Sequence, residues 1–127
     1  MTVDVVNHPV HYGTGRFTCE CIAITRHMTF NAGNAFKYVW RHQEKNGLED
    51  LRKAAVYLRW SIEDQEELSR SAALPGLDGF VQDLIGVHVL PFAVGPYEPL
   101  IDIAKSNFGE ALRRVESAIN AYKVQAA

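Results

Sequence analysis

Apolar residues recur every three or four positions in three stretches of this 127-residue chain, and this spacing constrains the fold more than any other feature. Such spacing places apolar side chains along one face of an α-helix. We therefore predict a mainly α protein, a compact helical domain of about four to five helices. The three predicted apolar faces consist of Ala32, Phe36, Val39 and Trp40; of Leu48, Leu51, Ala55, Leu58 and Ile62; and of Ile101, Ala104, Phe108, Leu112, Val115, Ile119 and Tyr122.

Turn-forming residues separate the predicted helices in the first half of the chain. Residues 1–18 contain proline and glycine at several positions, and we predict that they form an extended N-terminal arm. A short helical segment follows over about 19–29. We expect Thr29 or Asn31 to cap a second helix that runs over about 32–44.

The second half of the chain alternates between helical patterns and breaks. A third helix is predicted over about 48–71, and residues 72–79 have the composition of a linker. Residues 80–92 are apolar, and a helix is the favoured interpretation. The pattern over about 100–124 predicts one long amphipathic helix, or two helices with a bend at Gly109.

These elements predict one domain with two parts. Residues 1–71 form a helical region that carries the candidate chemistry, and residues 72–127 form a C-terminal helical extension packed on it. The apolar faces of the third and last helices are larger than a lone monomer of this size is expected to bury. We therefore expect a homo-oligomer, in which part of this surface pairs with a second copy.

The sequence gives no indication of a membrane-bound or exported protein. No apolar run reaches the roughly 18–20 residues that a membrane span requires. The N-terminus has no basic segment that leads into an apolar one, so a signal peptide is not expected. Cys19 and Cys21 are separated by one residue, a spacing unsuited to a structural disulfide. We expect a cytoplasmic protein, in the host cell cytoplasm if a phage encodes it.

Charge is distributed unevenly along the chain. Residues 31–60 carry six basic and three acidic side chains, whereas residues 61–127 carry five basic and ten acidic ones. Proteins that bind long nucleic acids usually present a broad basic face. A basic middle region in an otherwise acidic chain therefore favours a small anionic ligand.

Polar and charged residues on the second and third helices form the strongest candidate site. If the helices form a hairpin through Asn46-Gly47, their polar faces converge. The cations could then clamp a nucleotide phosphate, with Asp50 holding Mg²⁺. Alternatively, Arg41 or Lys45 could form ordinary ion pairs with Glu49 or Asp50, and the residues on their own favour this second arrangement. The candidate residues on the two faces are Asn34, Lys37, Tyr38, Arg41, Lys45, Asp50, Lys53 and Tyr57.

Residues 6–62 resemble a small phage family typified by the nucleotide kinase of T-odd podoviruses, which is often described only as an uncharacterised phage domain. The resemblance covers about half of the chain, and the matching sequence blocks occur in the same order as in the family. The matching blocks are Val6–Tyr12, Glu20–Ile22, Gly33–Arg41, Lys45–Ala54 and Tyr57–Leu58.

The resemblance implies a phage protein of nucleotide metabolism. The typical family member is similar to a nucleoside monophosphate kinase that transfers phosphate from a nucleoside triphosphate to deoxynucleoside monophosphates such as dTMP and dGMP. That enzyme lacks a P-loop, and this chain contains no Gly-x-x-x-x-Gly-Lys-Ser/Thr sequence either. Cations and positioning stabilise the charge of such a transition state, so no covalent residue is required.

The resemblance also implies roles for individual residues. Lys37, Arg41 and Lys53 would contact phosphate oxygens, and Asp50, helped by Glu49, would hold Mg²⁺. With Asp50, these three cations form the expected catalytic set. The arm that carries residues 7–12 would close over the ligand. The expected substrate-binding residues are Asn7, His8, His11, Tyr12, Asn34, Tyr38, Lys45 and Tyr57.

One departure from the family pattern supports an alternative. An acidic residue often follows the Glu-Cys-Ile block, and Ala23 occupies that position here. If that acid holds metal or substrate in active members, this chain would bind a ligand without turning it over. The alternative is a non-catalytic oligomeric protein that binds a nucleotide or nucleotide signal and acts against or upon host pathways.

Overall fold

The computed structural model describes residues 21–42, 47–66, 76–77, 79–81 and 98–126. The described residues are organised as helices, so the predicted mainly α fold is confirmed. The predicted N-terminal arm lies outside them. No helix in these ranges is long and apolar enough to span a bilayer. Five helices have defined bounds: α1 Cys21–Thr25, α2 Phe30–Arg41, α3 Gly47–Glu63, α4 Glu98–Ala104 and α5 Phe108–Ala126.

Helices α2 and α3 pack together as an antiparallel hairpin, which is the condition for convergence of their polar faces. Gly47 begins α3 with a φ of 33°, a conformation that favours glycine, and its N–H donates to the His42 carbonyl at 2.8 Å. Arg41 at the end of α2 pairs with Asp50 in the first turn of α3. The polar faces of the two helices therefore converge, as the sequence predicts.

Helix α2 begins earlier than its apolar pattern indicates. Thr29 occupies the N-cap position with extended backbone angles, whereas Asn31 lies inside the helix. Of the two predicted caps, Thr29 is thus the one at the helix start. The four residues of the predicted apolar face are all buried, and the rings of Phe36 and Trp40 pack with their centroids 5.7 Å apart.

The apolar face of α3 follows its prediction at most positions. Leu51, Ala55 and Leu58 are buried, and Leu48 packs at the edge of the core. Ile62, however, is 41 % exposed, so its predicted place in the core is wrong. Ser61 takes the inward position at this end of α3, where its hydroxyl donates to the Glu66 carboxylate.

The C-terminal pattern divides into α4 and α5, which settles the choice between one helix and two. The break falls at Ser106, which has a φ of 61°, and not at the predicted Gly109, which lies inside α5. The N–H groups of Lys105 and Asn107 donate to the Asp102 carbonyl and satisfy the end of α4. Helix α5 then packs against α3 and α4, and α4 packs against α2.

The predicted linker at 72–79 contributes to the core. Leu77 and Val81 are buried, and a helical turn surrounds them, with the Phe80 N–H donating to the Gly76 carbonyl. The sequence predicts a linker because Gly76 and its neighbours favour turns, and Gly76 indeed has a φ of 82°.

Asp102 connects α4 to α5 and gives a pH-dependent prediction. Its carboxylate lies 3.0 Å from the Arg114 Nε. Burial raises the pKa of Asp102 above its ordinary value of 3.8, although Arg114 opposes the shift. Because the folded state binds this proton more tightly, the carboxyl's contribution to stability is largest below pH 3.8 and falls as pH rises through the folded pKa.

An Asp102→Asn substitution should remove this pH dependence. We expect the variant to gain stability relative to the wild type as pH rises from about 3 to about 6, because asparagine carries no charge to desolvate. Urea unfolding of both proteins across this range measures the difference. A difference in unfolding free energy that stays constant with pH would contradict the assignment.

Candidate functional site

The hairpin of α2 and α3 presents aromatic and basic side chains on one surface. We call this surface the aromatic–cation face. Phe30 lies at the start of α2 and Trp60 near the end of α3, whereas the basic residues and Tyr38 lie closer to the connection between the helices. Its members are Phe30, Lys37, Tyr38, Arg41, Lys53, Tyr57 and Trp60.

The aromatic part of this face is a group of rings in mutual contact. Tyr38 and Tyr57 stack with centroids 5.8 Å apart and an interplanar angle of 19°. Phe30 and Trp60 each meet Tyr57 edge-on, at 6.3 and 5.3 Å. Phe30 is 75 % exposed and Trp60 is 47 % exposed, so both outer rings are accessible to a ligand. Exposed rings backed by a rigid stack can bind a flat apolar group.

The basic part of the face surrounds the Tyr38 ring. Lys37 Nζ lies 4.4 Å from the ring centroid, Arg41 Cζ lies 5.1 Å away and Lys53 Nζ lies 5.6 Å away. Cation–π attraction holds these charges near one another despite their mutual repulsion. Lys37 also donates to Asn34 Oδ1 at 3.3 Å, which fixes the direction of its side chain. The arrangement is suited to an anion.

Arg41 and Asp50 form a buried ion pair. Arg41 Nη2 lies 3.2 Å from Asp50 Oδ1, and Arg41 Nε lies 3.4 Å from Asp50 Oδ2. Arg41 is 9 % exposed and Asp50 is fully buried. Arg41 and Asp50 thus form the kind of ordinary ion pair that the sequence offered as the alternative to a phosphate site. Lys53 likewise lies 3.6 Å from the exposed carboxylate of Glu49.

The structure brings part of the predicted site together. Asn34, Lys37, Tyr38, Arg41, Lys53 and Tyr57 lie on or beside the aromatic–cation face. The other predicted substrate contacts, Asn7, His8, His11, Tyr12 and Lys45, lie outside the described residues. Within the described ranges, no group of three or more acidic, histidine or cysteine side chains is arranged to hold a metal ion. The Mg²⁺ roles of Asp50 and Glu49 stay a prediction.

Sequence reasoning missed two members of this face. Phe30 and Trp60 received no functional role, although both are more exposed than large aromatic side chains usually are. A signal for them was present. Trp60 follows Tyr57 by three positions, and Phe30 precedes Asn34 by four, so helical spacing places each beside a predicted site residue.

A network around Glu66 holds the aromatic end of the face in place. Glu66 Oε1 accepts hydrogen bonds from Thr29 Oγ1 at 2.6 Å, from Ser61 Oγ at 3.1 Å and from the Ala32 N–H at 3.2 Å. Its Oε2 accepts from Asn31 Nδ2 at 2.8 Å. From its position just beyond the end of α3, the carboxylate therefore caps α2 and fixes the first turn of that helix.

Comparison with known proteins finds a match over less than half of the chain, to a family model without an assigned activity. A family model described as a protein of unknown function, DUF3310, matches residues 6–59. This stretch coincides with the region of resemblance and contains α1, α2 and most of α3. A search of curated proteins and a search of solved structures each found no match to the chain.

Proposed function

We propose that the aromatic–cation face binds a nucleotide. The observation that carries this proposal is the position of two exposed aromatic rings, Phe30 and Trp60, beside cations that share the Tyr38 ring. A nucleotide has the matching chemistry, a flat base joined to a charged phosphate. Base–aromatic stacking contributes about 1–3 kcal/mol per base, and the lysines supply the attraction for phosphate.

The proposal divides the face between base and phosphate. The base stacks on Phe30 or Trp60, and the phosphate lies near Lys37 and Lys53. Lys53 is half-exposed and its ion pair is with the exposed Glu49, so it can exchange that carboxylate for a phosphate at small cost. Arg41 is committed to Asp50 and contributes charge from behind the surface.

Phosphoryl transfer to a deoxynucleoside monophosphate is the catalytic form of this proposal. Its support is the resemblance over residues 6–62, which the family match overlaps without assigning an activity. Mg²⁺ commonly reaches such sites bound to the phosphates of the nucleotide and not in a cage of protein ligands. The exposed Glu49 beside Lys53 is then better placed to meet it than the buried Asp50. A non-catalytic binder would use the same surface.

Calorimetric titration tests nucleotide binding. The probes are dTMP, dGMP and ATP, each with and without Mg²⁺. We expect Trp60→Ala and Lys53→Ala each to weaken binding about fivefold to tenfold, through lost stacking and lost phosphate attraction respectively. The matched controls are Phe80→Ala, an exposed aromatic residue outside the face, and Arg52→Ala, an exposed cation beside Lys53.

The controls should bind as the wild type does. Nucleotide affinity that is absent, or that falls equally in the controls, would contradict the proposal. Incubating the protein with Mg²⁺, ATP and dTMP or dGMP then distinguishes the catalytic version of the proposal from the non-catalytic one. Formation of the diphosphate indicates a kinase, and recovery of unchanged ligand indicates a binding protein.

The homo-oligomer predicted from the sequence is also a proposal. Its support is the apolar surface that α3 leaves exposed outside the aromatic–cation face, at Val56 and Ile62. We expect light scattering to give a mass of at least two chains, and Ile62→Asp to reduce it. A monomer at micromolar concentration would contradict this prediction. The proposed setting of nucleotide metabolism corresponds to a cytoplasmic protein.

A further inference from the structure

A groove runs between α1 and α2, next to the aromatic–cation face. It is open to solvent and has a volume of about 360 Å³, which is within the range of small-molecule sites. We call it the α1–α2 groove. Its lining includes Ile22, Arg26, Met28, Phe30, Asn34 and Lys37.

The walls of this groove are fixed by close packing. Gly33 is buried in α2, and a Cβ at that position would lie 3.4 Å from the Thr25 carbonyl oxygen and 3.8 Å from Met28 Cβ. The end of α1 and the loop after it therefore lie directly against α2. Ile24 anchors α1 in the core, and the Glu66 network fixes Thr29 at the start of α2. The groove is thus a preformed feature of the fold.

The groove repeats the chemistry of the aromatic–cation face. Ile22 and Phe30 are both more than half exposed, and Met28 adds a further apolar wall. Arg26 is exposed, and Lys37 lies at the opposite side of the groove. Apolar walls with two cations suit a flat, uncharged group that carries a phosphate, which is again the chemistry of a nucleotide.

The groove and the face are continuous through two shared residues. Phe30 lines the groove and also meets Tyr57 on the face at 6.3 Å. Lys37 lines the groove while its Nζ lies 4.4 Å from the Tyr38 centroid. Asn34 holds that position, because it accepts a hydrogen bond from Lys37 and donates one to the Phe30 carbonyl. A phosphate bound at Lys37 is therefore adjacent both to the α1–α2 groove and to the aromatic–cation face.

We propose that the α1–α2 groove is a second nucleotide subsite, so that the protein binds two bases on the two sides of Phe30 with phosphate between them at Lys37. This inference rests on the proposed function, because the aromatic–cation face supplies the first subsite. The two bases can belong to one dinucleotide or to two separate nucleotides, as a donor and an acceptor would. The chemistry required of the groove is the same in both cases.

Titration calorimetry with dTMP and with the dinucleotide d(pTpT) distinguishes the binding of one dinucleotide from the binding of two separate nucleotides. If one dinucleotide fills both subsites, d(pTpT) should bind one per chain and about tenfold more tightly than dTMP, through the second stacked base. If two nucleotides fill them, dTMP should bind two per chain and d(pTpT) should show no such advantage. Either result supports the second subsite.

A charge reversal in the α1–α2 groove tests whether the second base or the second nucleotide binds there. Arg26→Glu should remove the tenfold advantage of d(pTpT), or reduce dTMP from two per chain to one, while leaving the first subsite intact. Arg52→Glu, the same change at an exposed arginine on α3, should change neither. Circular dichroism establishes that both variants are folded.

The outcomes separate this inference from the proposed function. One dTMP per chain, no advantage for d(pTpT) and no effect of Arg26→Glu, with binding still weakened by Trp60→Ala, would overturn the second subsite alone. Failure of the wild type to bind any nucleotide would overturn both.

Discussion

Arg41→Ala is expected to lower the free energy of unfolding by about 3–5 kcal/mol, because it leaves the carboxylate of Asp50 buried without its guanidinium partner. The penalty comes from the desolvated charge and exceeds the net contribution of the pair itself. Urea unfolding followed by circular dichroism at neutral pH measures it. The same change at Lys53, whose ion pair with Glu49 is exposed, should alter stability by less than about 0.5 kcal/mol.

A double variant isolates the cause. In Arg41→Ala/Asp50→Asn the buried group is neutral, so we expect part of the lost stability to return. Equal stability of Arg41→Ala and Lys53→Ala would show that the ion pair contributes little. The comparison also bears on function, because an Arg41 variant that loses activity could do so by unfolding. Lys37 and Lys53 are the better positions at which to test phosphate contacts.

Helix positions could be predicted because apolar spacing is a local property. The faces of α2 and α3 follow directly from residues three and four apart, and the hairpin follows from a turn signal. The errors occur where distant residues decide the structure. Ile62 fits its apolar seam, yet Ser61 turns inward because Glu66 lies there to accept its hydrogen bond. Ser106, not Gly109, ends the straight run because the N–H groups around it satisfy the last carbonyls of α4.

The residues that meet at the candidate site could be predicted from the sequence, but which of them form ion pairs with each other could not. Helical spacing was sufficient to place Lys37, Arg41 and Lys53 on converging faces. Whether a cation is available to a ligand depends on the burial of its acidic neighbour, and sequence spacing does not specify burial. Asp50 is buried and Glu49, beside it, is exposed. Trp60 was missed because the sequence alone does not distinguish an exposed aromatic residue from a buried one.

Glu66→Ala is expected to lower the free energy of unfolding by about 3 kcal/mol, because it leaves buried donors without their acceptor. The carboxylate accepts from the Ala32 N–H and from the Ser61 hydroxyl, and both of these hydrogen bonds are buried. It also accepts from the Asn31 amide, which keeps a second acceptor in Asp64 Oδ2 at 3.1 Å. It also carries negative charge at the N-terminus of α2, where the helix dipole favours it. The Thr29 side chain makes no capping bond of its own, because its hydroxyl donates to Glu66. Chemical denaturation provides the measurement.

Glu63→Ala is the matched control, since it removes the same kind of carboxylate from an exposed position at the end of α3, three residues before Glu66. It should change stability by less than about 0.5 kcal/mol. Glu66→Gln should fall between the two, because its amide keeps one acceptor oxygen but turns N–H groups toward the remaining donors. Since the network fixes the first turn of α2, Glu66→Ala should also weaken nucleotide binding through displacement of Phe30. Stability equal to that of Glu63→Ala would exclude Glu66 as the cap of α2.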